Sequence, residues 1–150
     1  MRVEEIRTVA CLGTGTMGHG VAFLAAKAGY AVRLFGRSKE SLDKGLAGVD
    51  RAIALYEDNQ LMPKGEGEAI KSRITPVTSL EEASAGADLV MESVAESVEV
   101  KQQTFSIVER HCNPKAILAT NTSGLSLSAI RSTLARPEYF LSIHFFSPPY

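Results

Sequence analysis

The sequence predicts an α/β domain, built as a doubly wound parallel sheet with helices on both faces. Short apolar runs alternate with segments of helical periodicity almost from end to end, and such alternation with short connections requires right-handed crossovers between parallel strands. The apolar runs are continuous and do not alternate strictly with polar residues. This pattern is typical of strands that helices cover on both faces.

Six strands and six helices are predicted in an almost regular alternation. The strands are expected at residues 8–12, 31–35, 74–77, 89–93, 116–119 and 140–144. The helices are expected at residues 17–28, 39–56, 66–72, 80–85, 98–111 and 126–134. A chain of 150 residues is long enough to give these elements one substantial core.

A long helical stretch is inserted between the second and third predicted strands. Its apolar residues recur on one face, at Leu42, Leu46, Val49 and Ile53. The stretch breaks near Pro63 and Gly65, which are typical turn residues, and resumes at residues 66–72. A helical arm that projects from the sheet is therefore expected. It is either a pair of packing helices or an arm that contacts substrate, and the spacing does not choose between them.

A glycine-spaced turn directly follows the first predicted strand and precedes a helical pattern. It reads Gly13-Thr14-Gly15-Thr16-Met17-Gly18. In this context the first glycine permits a tight turn, the second admits a pyrophosphate close to the backbone, and the third lets the helix pack closely on the strand. The helix N-terminus supplies unpaired N–H donors and a partial positive charge. The turn predicts dinucleotide binding by Gly13, Gly15, Thr16, Met17 and Gly18; the alternative is a purely structural turn.

Composition and charge argue against several other classes of protein. The formal net charge is −1 and the basic residues are scattered, so neither nucleic acid nor an anionic membrane surface is an expected partner. No apolar run approaches membrane-spanning length and the N-terminus lacks a secretory signal pattern, so the expected location is the cytoplasm. Cys11 and Cys112 give no disulfide framework. No metal site is expected at His111-Cys112, because paired ligand spacings are lacking.

A second polar cluster is expected at the same edge of the sheet as the glycine turn. Asn121-Thr122-Ser123-Gly124 follows the fifth predicted strand, and His144 ends the sixth. The carboxyl ends of parallel strands form the ligand crevice of a doubly wound sheet. A serine hydroxyl and an imidazole beside a nicotinamide ring suit alcohol oxidation, because the imidazole can accept the hydroxyl proton near neutral pH. The alternatives are ordinary turn and capping residues and a structural histidine.

Four motifs, in this order, make the chain similar to a known family. They are Gly13-Thr14-Gly15-Thr16-Met17-Gly18, Ala95-Glu96 with Lys101, Asn121-Thr122-Ser123, and His144-Phe145-Phe146 with Pro148. Together they resemble the nucleotide-binding domain of the L-3-hydroxyacyl-CoA dehydrogenase family over nearly the whole chain. The resemblance implies reversible oxidation of a 3-hydroxyacyl-CoA to the 3-ketoacyl-CoA with a nicotinamide cofactor, as in fatty-acid or hydroxybutyryl-CoA metabolism.

The resemblance also implies roles for individual residues. His144 corresponds to the catalytic base, and Ser123 to the residue that hydrogen-bonds the substrate oxygen. Glu96 and Lys101 correspond to contacts with the nicotinamide-side ribose, and Asn121 belongs to the same loop. The helical arm at residues 42–72 corresponds to an arm that contacts coenzyme A.

Several parts that this family needs are expected beyond Tyr150. They are a glutamate that orients the catalytic histidine, an asparagine, and a helical domain for dimerisation. We therefore expect residues 1–150 to be one dinucleotide-binding domain, truncated relative to the whole enzyme and a poor dehydrogenase by itself. The resemblance implies a homodimer for the full-length protein.

The C-terminal motif departs from the family pattern. Ser147 replaces the usual asparagine and precedes Pro148-Pro149-Tyr150, an extended segment that we expect to lead away from the domain. Related dehydrogenases of carnitine-like or sugar-acid hydroxyls show a double proline with tyrosine at this place. A small hydroxy acid or a carnitine-like compound is therefore an alternative substrate. A non-catalytic nucleotide-binding module is the alternative from another class, and the presence of both Ser123 and His144 argues against it.

The second predicted strand lacks the acidic residue that usually ends such a strand and is followed by Gly36, Arg37 and Ser38. A carboxylate there would accept hydrogen bonds from the adenosine ribose 2′-hydroxyl and repel a 2′-phosphate, and Gly36 removes both effects. Arg37 and Ser38 can donate hydrogen bonds to phosphate oxygens. The sequence thus predicts NAD or NADP as the cofactor and favours NADP. In the alternative, Arg37 stacks on adenine or points to solvent, and NAD is bound.

Overall fold

The computed structural model of the chain describes residues 2–150 and confirms the predicted fold class. Six strands form one sheet: β1 (Thr8–Leu12), β2 (Ala31–Phe35), β3 (Ile74–Val77), β4 (Leu89–Glu92), β5 (Ile117–Thr120) and β6 (Phe140–Ser142). Their order is β3-β2-β1-β4-β5-β6, and every neighbouring pair is parallel. The strand order reverses beside β1, so the ligand crevice of this sheet lies at the carboxyl ends of β1 and β4.

Six helices accompany the strands: α1 (Thr16–Lys27), α2 (Lys39–Asp58), α3 (Glu66–Lys71), α4 (Leu80–Ser84), α5 (Val98–His111) and α6 (Leu127–Arg131). Short 3₁₀ turns precede β1 and β6, at Val3–Glu5 and Pro137–Tyr139. Serine hydroxyls cap the N-termini of α2, α4, α5 and α6, which explains why these helices begin where they do. Within residues 2–150, none of the helices is both long and apolar enough to cross a membrane.

The sixth strand ends earlier than the sequence predicts. It stops at Ser142 instead of residue 144, and the last backbone bond of the ladder runs from the Ile143 N–H to the Thr120 carbonyl oxygen. Beyond it, the Phe145 N–H donates to the Asn121 side chain over 2.7 Å. A side-chain acceptor thus replaces the strand partner, and residues 143–146 leave the sheet as an irregular segment.

The sixth helix is also shorter than predicted. It covers Leu127–Arg131 instead of residues 126–134. The Glu109 carboxylate of α5 accepts hydrogen bonds from the backbone N–H groups of Ala135 and Arg136. These long-range bonds hold the following backbone outside a helical path, which periodicity alone could not reveal.

Each face of the sheet carries its own buried core. One face packs against α1, α2 and α3 and includes Val9, Cys11, Phe23, Leu34 and Ile53. The other face packs against α4, α5 and α6 and includes Leu12, Val90, Phe105, Leu118 and Ile130. Burial raises the pKa of the Cys11 thiol to about 12, so this residue acts as a small hydrophobe. The double core explains the continuous apolar runs in the sequence.

The inserted arm is a helix pair with a packed base and an exposed tip. The apolar face of α2 is buried against α1, and a methyl group on Gly67 of α3 would approach the Ile53 side chain of α2 to 2.6 Å. Gly65, with φ of 92°, begins α3 after the turn. Leu55 and Leu61 are 45% and 60% exposed near the tip. Packing therefore accounts for the base of the arm, and the tip leaves apolar surface uncovered.

The C-terminal segment lies against the domain, contrary to the expectation that it leads away. Pro149 and Tyr150 contact α1 at Gly20, where any side chain would overlap them. The centroid of the Tyr150 ring lies 5.7 Å from that of Phe23 and 6.5 Å from that of Tyr56. Aromatic packing against α1 and α2 thus holds this segment on the domain.

Candidate functional site

The glycine turn between β1 and α1 forms a cradle at the carboxyl edge of the sheet. Gly13 has φ of 117°, and its N–H donates to the Phe35 carbonyl oxygen over 3.0 Å. A Cβ on Gly13 would lie 2.5 Å from the Ser93 carbonyl oxygen, and a Cβ on Gly18 would overlap the Gly13 carbonyl oxygen. A Cβ on Gly15 would project into open space. Gly13 and Gly18 therefore close the turn, whereas Gly15 leaves the helix N-terminus open to a ligand.

A cavity of about 310 Å³ extends from this cradle to the end of β2. Its walls include Gly13, Gly15, Gly36, Arg37 and Ser41. A Cβ on Gly36 would lie 2.7 Å from Ser41 Oγ and 2.9 Å from Leu42 Cγ. The usual acidic side chain at this position would therefore require the side chains of Ser41 and Leu42 to move. The exposed Arg37 side chain is the charged group at this end of the cleft.

A second cavity of about 210 Å³ lies on the side of β4 and β5. Its walls include the predicted cofactor residues Gly15, Thr16, Met17, Glu96, Lys101 and Asn121. The two cavities share Gly15, Ser93 and Val94, so they adjoin. In a doubly wound sheet the end of β2 receives the adenosine half of a dinucleotide, which leaves the second cavity for the nicotinamide half.

A buried ion pair borders the second cavity. Glu92 ends β4 and is fully buried, and its Oε1 lies 2.6 Å from Nζ of Lys101, a residue of α5 that is 1% exposed. The Glu92 carboxylate also accepts hydrogen bonds from the Thr120 hydroxyl, over 2.6 Å, and from the Val94 N–H, over 2.7 Å. Three donors therefore compensate the charge of this carboxylate, as a buried ion requires.

Glu96 connects this ion pair to the cavity wall. Its side chain is about half exposed, its Oε2 lies 3.2 Å from Lys101 Nζ, and its other oxygen accepts a hydrogen bond from the Thr122 hydroxyl. Burial by itself raises the pKa of Glu96, but the Thr122 hydroxyl and the Lys101 ammonium outweigh this effect and hold the pKa below its usual value. The cavity wall thus carries an ionised carboxylate.

Ser123 and His144 lie on two segments that follow the adjacent strands β5 and β6. The hydrogen bond from the Phe145 N–H to Asn121 Oδ1 ties these segments together. Both predicted catalytic side chains are exposed, and the His144 ring lies 4.6 Å from the Phe146 ring, between centroids. The structure brings the two segments to one edge of the sheet, with both side chains outside the walls of the two cavities.

Two of the predicted cofactor residues, Gly18 and Ser38, stabilise the backbone around the cleft. Gly18 allows α1 to pack on the turn, as described above. Ser38 caps α2: its hydroxyl accepts a hydrogen bond from the Ser41 N–H over 3.2 Å, and its N–H donates to Ser41 Oγ over 3.1 Å. Ser41, which the sequence reasoning missed, lines the larger cavity, whereas Ser38 stands outside its walls.

Glu92, Thr120 and Ser93 were also missed. A lone acid in an apolar strand is the signal that could have revealed Glu92, because a buried carboxylate needs partners. Ser93 Oγ is buried and has no hydrogen-bond partner among residues 2–150, although this residue borders both cavities. Sequence spacing could not predict a buried hydroxyl without a hydrogen-bond partner.

The residues around the cleft fit a dinucleotide. The open position at Gly15 faces the N-terminus of α1, the larger cavity leads to a cationic side chain, and the smaller cavity presents carboxylate, ammonium and amide groups. A polar ligand with a central diphosphate and two nucleoside halves matches this spatial arrangement of groups along the cleft. Clusters of three or more His, Cys, Asp or Glu side chains that could share a metal ion are absent from the described residues 2–150.

The fold and the two adjoining cavities define a dinucleotide-binding α/β domain. Residues 8–150 match the family model described as "3-hydroxyacyl-CoA dehydrogenase, NAD binding domain". The chain belongs to this family, which confirms the resemblance expected from the four sequence motifs.

Known relatives and solved structures agree with this assignment. The chain is 36% identical to 3-hydroxyadipyl-CoA dehydrogenase of Escherichia coli (strain K12) over 144 residues. This match covers 96% of the chain and 30% of the relative. It is 34% identical to a probable 3-hydroxybutyryl-CoA dehydrogenase of Bacillus subtilis (strain 168), over 96% of the chain and 50% of the relative. A crystal structure of 3-hydroxybutyryl-CoA dehydrogenase from Escherichia coli K12 matches with a TM-score of 0.90 at 35% identity, over 97% of the chain and 30% of that structure. The chain thus spans half or less of the length of these relatives.

Proposed function

We propose that this chain supplies the nicotinamide-dinucleotide-binding part of an oxidoreductase that converts a 3-hydroxyacyl-CoA to the 3-ketoacyl-CoA. The observation that carries the proposal is the pair of adjoining cavities at the carboxyl edge of the sheet, in a chain of this family. Gly13 and Gly15 with the N-terminus of α1 would hold the diphosphate, and Glu96, Lys101 and Asn121 would contact the nicotinamide half. A nicotinamide dinucleotide bound there would supply the hydride acceptor for oxidation of the substrate carbon and the hydride donor for the reverse reaction.

His144 and Ser123 are the proposed catalytic residues. His144 would accept the proton of the substrate 3-hydroxyl group during oxidation, and Ser123 would hydrogen-bond the same oxygen. Two observations support these roles: both residues follow the carboxyl ends of adjacent strands, and the bond from Phe145 to Asn121 holds their segments together. A non-catalytic nucleotide-binding module would not require a serine and a histidine at positions Ser123 and His144.

The reaction can be followed as oxidation of the reduced dinucleotide with acetoacetyl-CoA as the acceptor. The assay should use the chain and any longer native form that carries it. We expect His144→Ala to lower kcat at least about 100-fold, the usual contribution of a general acid or base. Turnover that is unchanged in His144→Ala would contradict the proposed role of this residue. Efficient turnover by residues 1–150 alone would contradict the expectation that further residues are needed.

The arm is the proposed contact for coenzyme A. Leu55 and Leu61 leave apolar surface uncovered near its tip, where a ligand could bury it. Hydrogen exchange over residues 42–72, measured with and without coenzyme A, tests this proposal. Protection would support an acyl-CoA substrate. Unchanged exchange would favour the alternative, a small hydroxy acid or a carnitine-like compound, with which the segment Ser147-Pro148-Pro149-Tyr150 is compatible.

We further propose that the cofactor site accepts NADP and prefers it to NAD. The end of β2 offers no carboxylate to repel a 2′-phosphate, and the exposed Arg37 lines the larger cavity. Calorimetric titration with NADPH and NADH, in separate experiments, tests this preference. We expect NADPH to bind more tightly. Binding of NADH that is tenfold tighter or more, about 1.4 kcal/mol, would overturn it.

The working protein is proposed to be a cytoplasmic homodimer without a nucleic-acid or membrane partner. The support is the family to which the chain belongs and the scattered charges behind its net charge of −1. Light scattering on the longest native form tests the oligomeric state. A monomeric mass at micromolar concentration would contradict the dimer.

A further inference from the structure

The second cavity is bordered by three charged side chains that do not cancel. Glu92 and Lys101 form the buried pair at 2.6 Å, and Glu96 adds a second carboxylate 3.2 Å from the same ammonium. Two carboxylates and one ammonium leave one excess negative charge. Lys101 and Glu96 both line the cavity.

Two of the three groups, Glu92 and Lys101, lie where solvent screens them weakly. Glu92 is fully buried and Lys101 is 1% exposed, so the interactions of the pair are stronger than between surface groups. The Thr120 hydroxyl and the Val94 N–H fix the Glu92 carboxylate in place. The buried pair is therefore fixed in place beside the cavity, and the half-exposed Glu96 adds its charge at the cavity wall.

The two redox states of a nicotinamide differ in charge at the ring. The oxidised ring is a cation and the reduced ring is neutral, whereas the rest of the dinucleotide is the same in both. A fixed negative charge near the ring therefore stabilises the oxidised form relative to the reduced form.

We propose that Glu92, acting through Lys101 and Glu96, is a positioning residue that raises the affinity of the site for the oxidised dinucleotide relative to the reduced one. The inference rests on the proposed function, because it needs the nicotinamide to occupy the second cavity. The inference concerns the ratio of the affinities for the oxidised and the reduced dinucleotide, which a purely structural role of the buried pair would not change.

The test measures dissociation constants of the oxidised and reduced dinucleotide by calorimetry, for NAD⁺ with NADH and for NADP⁺ with NADPH. Glu92→Gln keeps the size of the side chain and removes its charge. We expect it to lower the affinity for the oxidised form relative to the reduced form by about three- to tenfold, the Coulomb effect of unit charges roughly 10 Å apart. Lys101→Met should shift the ratio in the opposite direction.

The double variant Glu92→Gln/Lys101→Met separates charge from packing. It restores the single excess negative charge, so the ratio should return to within about twofold of the original value. A purely structural role would leave the ratio of the two affinities unaltered in all three variants. Circular dichroism checks that each variant folds. If one of the single variants unfolds, the comparison of the other single variant with the double variant still decides.

Glu109→Gln is the matched control. The Glu109 carboxylate is also buried, at 8% exposure, and pairs with Arg136 over 3.4 Å, but it lies outside the cavity walls. This change should leave the ratio unaltered even where stability falls. An equal loss of affinity for both redox states in Glu92→Gln would overturn the inference and leave the proposed function intact. Failure of the unaltered chain to bind either dinucleotide would overturn both.

Discussion

The two ends of the cleft are built in opposite ways. The first end, near β2, takes its polar side chains from residues close in sequence, Arg37 and Ser41. The end near β4 is lined by groups from separate segments, Glu96, Lys101 and Asn121, and rests on the buried carboxylate of Glu92. A substitution of the exposed Arg37 at the first end should therefore change cofactor affinity alone. At the second end, affinity and fold stability are coupled.

The largest effect expected from this difference concerns stability. Glu92→Ala leaves the Lys101 ammonium buried without its main partner, and should lower the free energy of unfolding by about 3–5 kcal/mol. Arg37→Ala, at the first end, should change the free energy of unfolding by less than about 0.5 kcal/mol. Urea unfolding of both variants measures these values. Similar losses of unfolding free energy in Glu92→Ala and Arg37→Ala would contradict the coupling of cofactor affinity to fold stability at the second end.

The glycine turn that joins the two ends provides the next test. Gly18→Ala places a methyl group against the Gly13 carbonyl oxygen and should cost about 3 kcal/mol of stability. Gly15→Ala meets open space in the protein, so stability should change by less than about 0.5 kcal/mol while dinucleotide affinity falls. Thermal unfolding and calorimetric titration measure the two effects. Undiminished dinucleotide binding by Gly15→Ala would place the diphosphate elsewhere.

At the first end, the expected effect is on cofactor choice. Arg37→Gln removes the cation that would pair with a 2′-phosphate, and should weaken NADPH binding about tenfold, or 1.4 kcal/mol, while NADH binding changes less than about twofold. Arg51→Gln, an exposed position on α2, is the control and should change neither. Equal losses for both cofactors would indicate that Arg37 contacts a shared part of the dinucleotide.

The smallest predicted effect is a pH dependence at the second end. The folded-state pKa of Glu96 lies below its ordinary value, so the stabilising contribution is present above that value and is lost as pH falls through the lowered pKa. Solvent screens this half-exposed group, so the effect should stay below about 1 kcal/mol. Between about pH 5 and pH 3, the unaltered chain should lose more stability than Glu96→Gln. Parallel acid-unfolding slopes in the two proteins would contradict this.

The fold and the glycine turn could be predicted from the sequence because their signals are local. An apolar run, three spaced glycines and a helical period follow each other directly between Thr8 and Lys27. The ion pair was harder to predict, because Glu92 meets Lys101 nine residues away and Thr120 twenty-eight residues away only after the sheet has formed. Tyr150 shows the same limit, since its contact with Phe23 depends on the packing of α1 against α2.

In the proposed complex, one dinucleotide spans both cavities. This can be tested by hydrogen exchange of the chain with and without saturating reduced dinucleotide. We expect protection of residues 13–18 together with residues 92–101, and unchanged exchange around Glu109. Protection confined to one of the two segments, or absent from both, would contradict the claim.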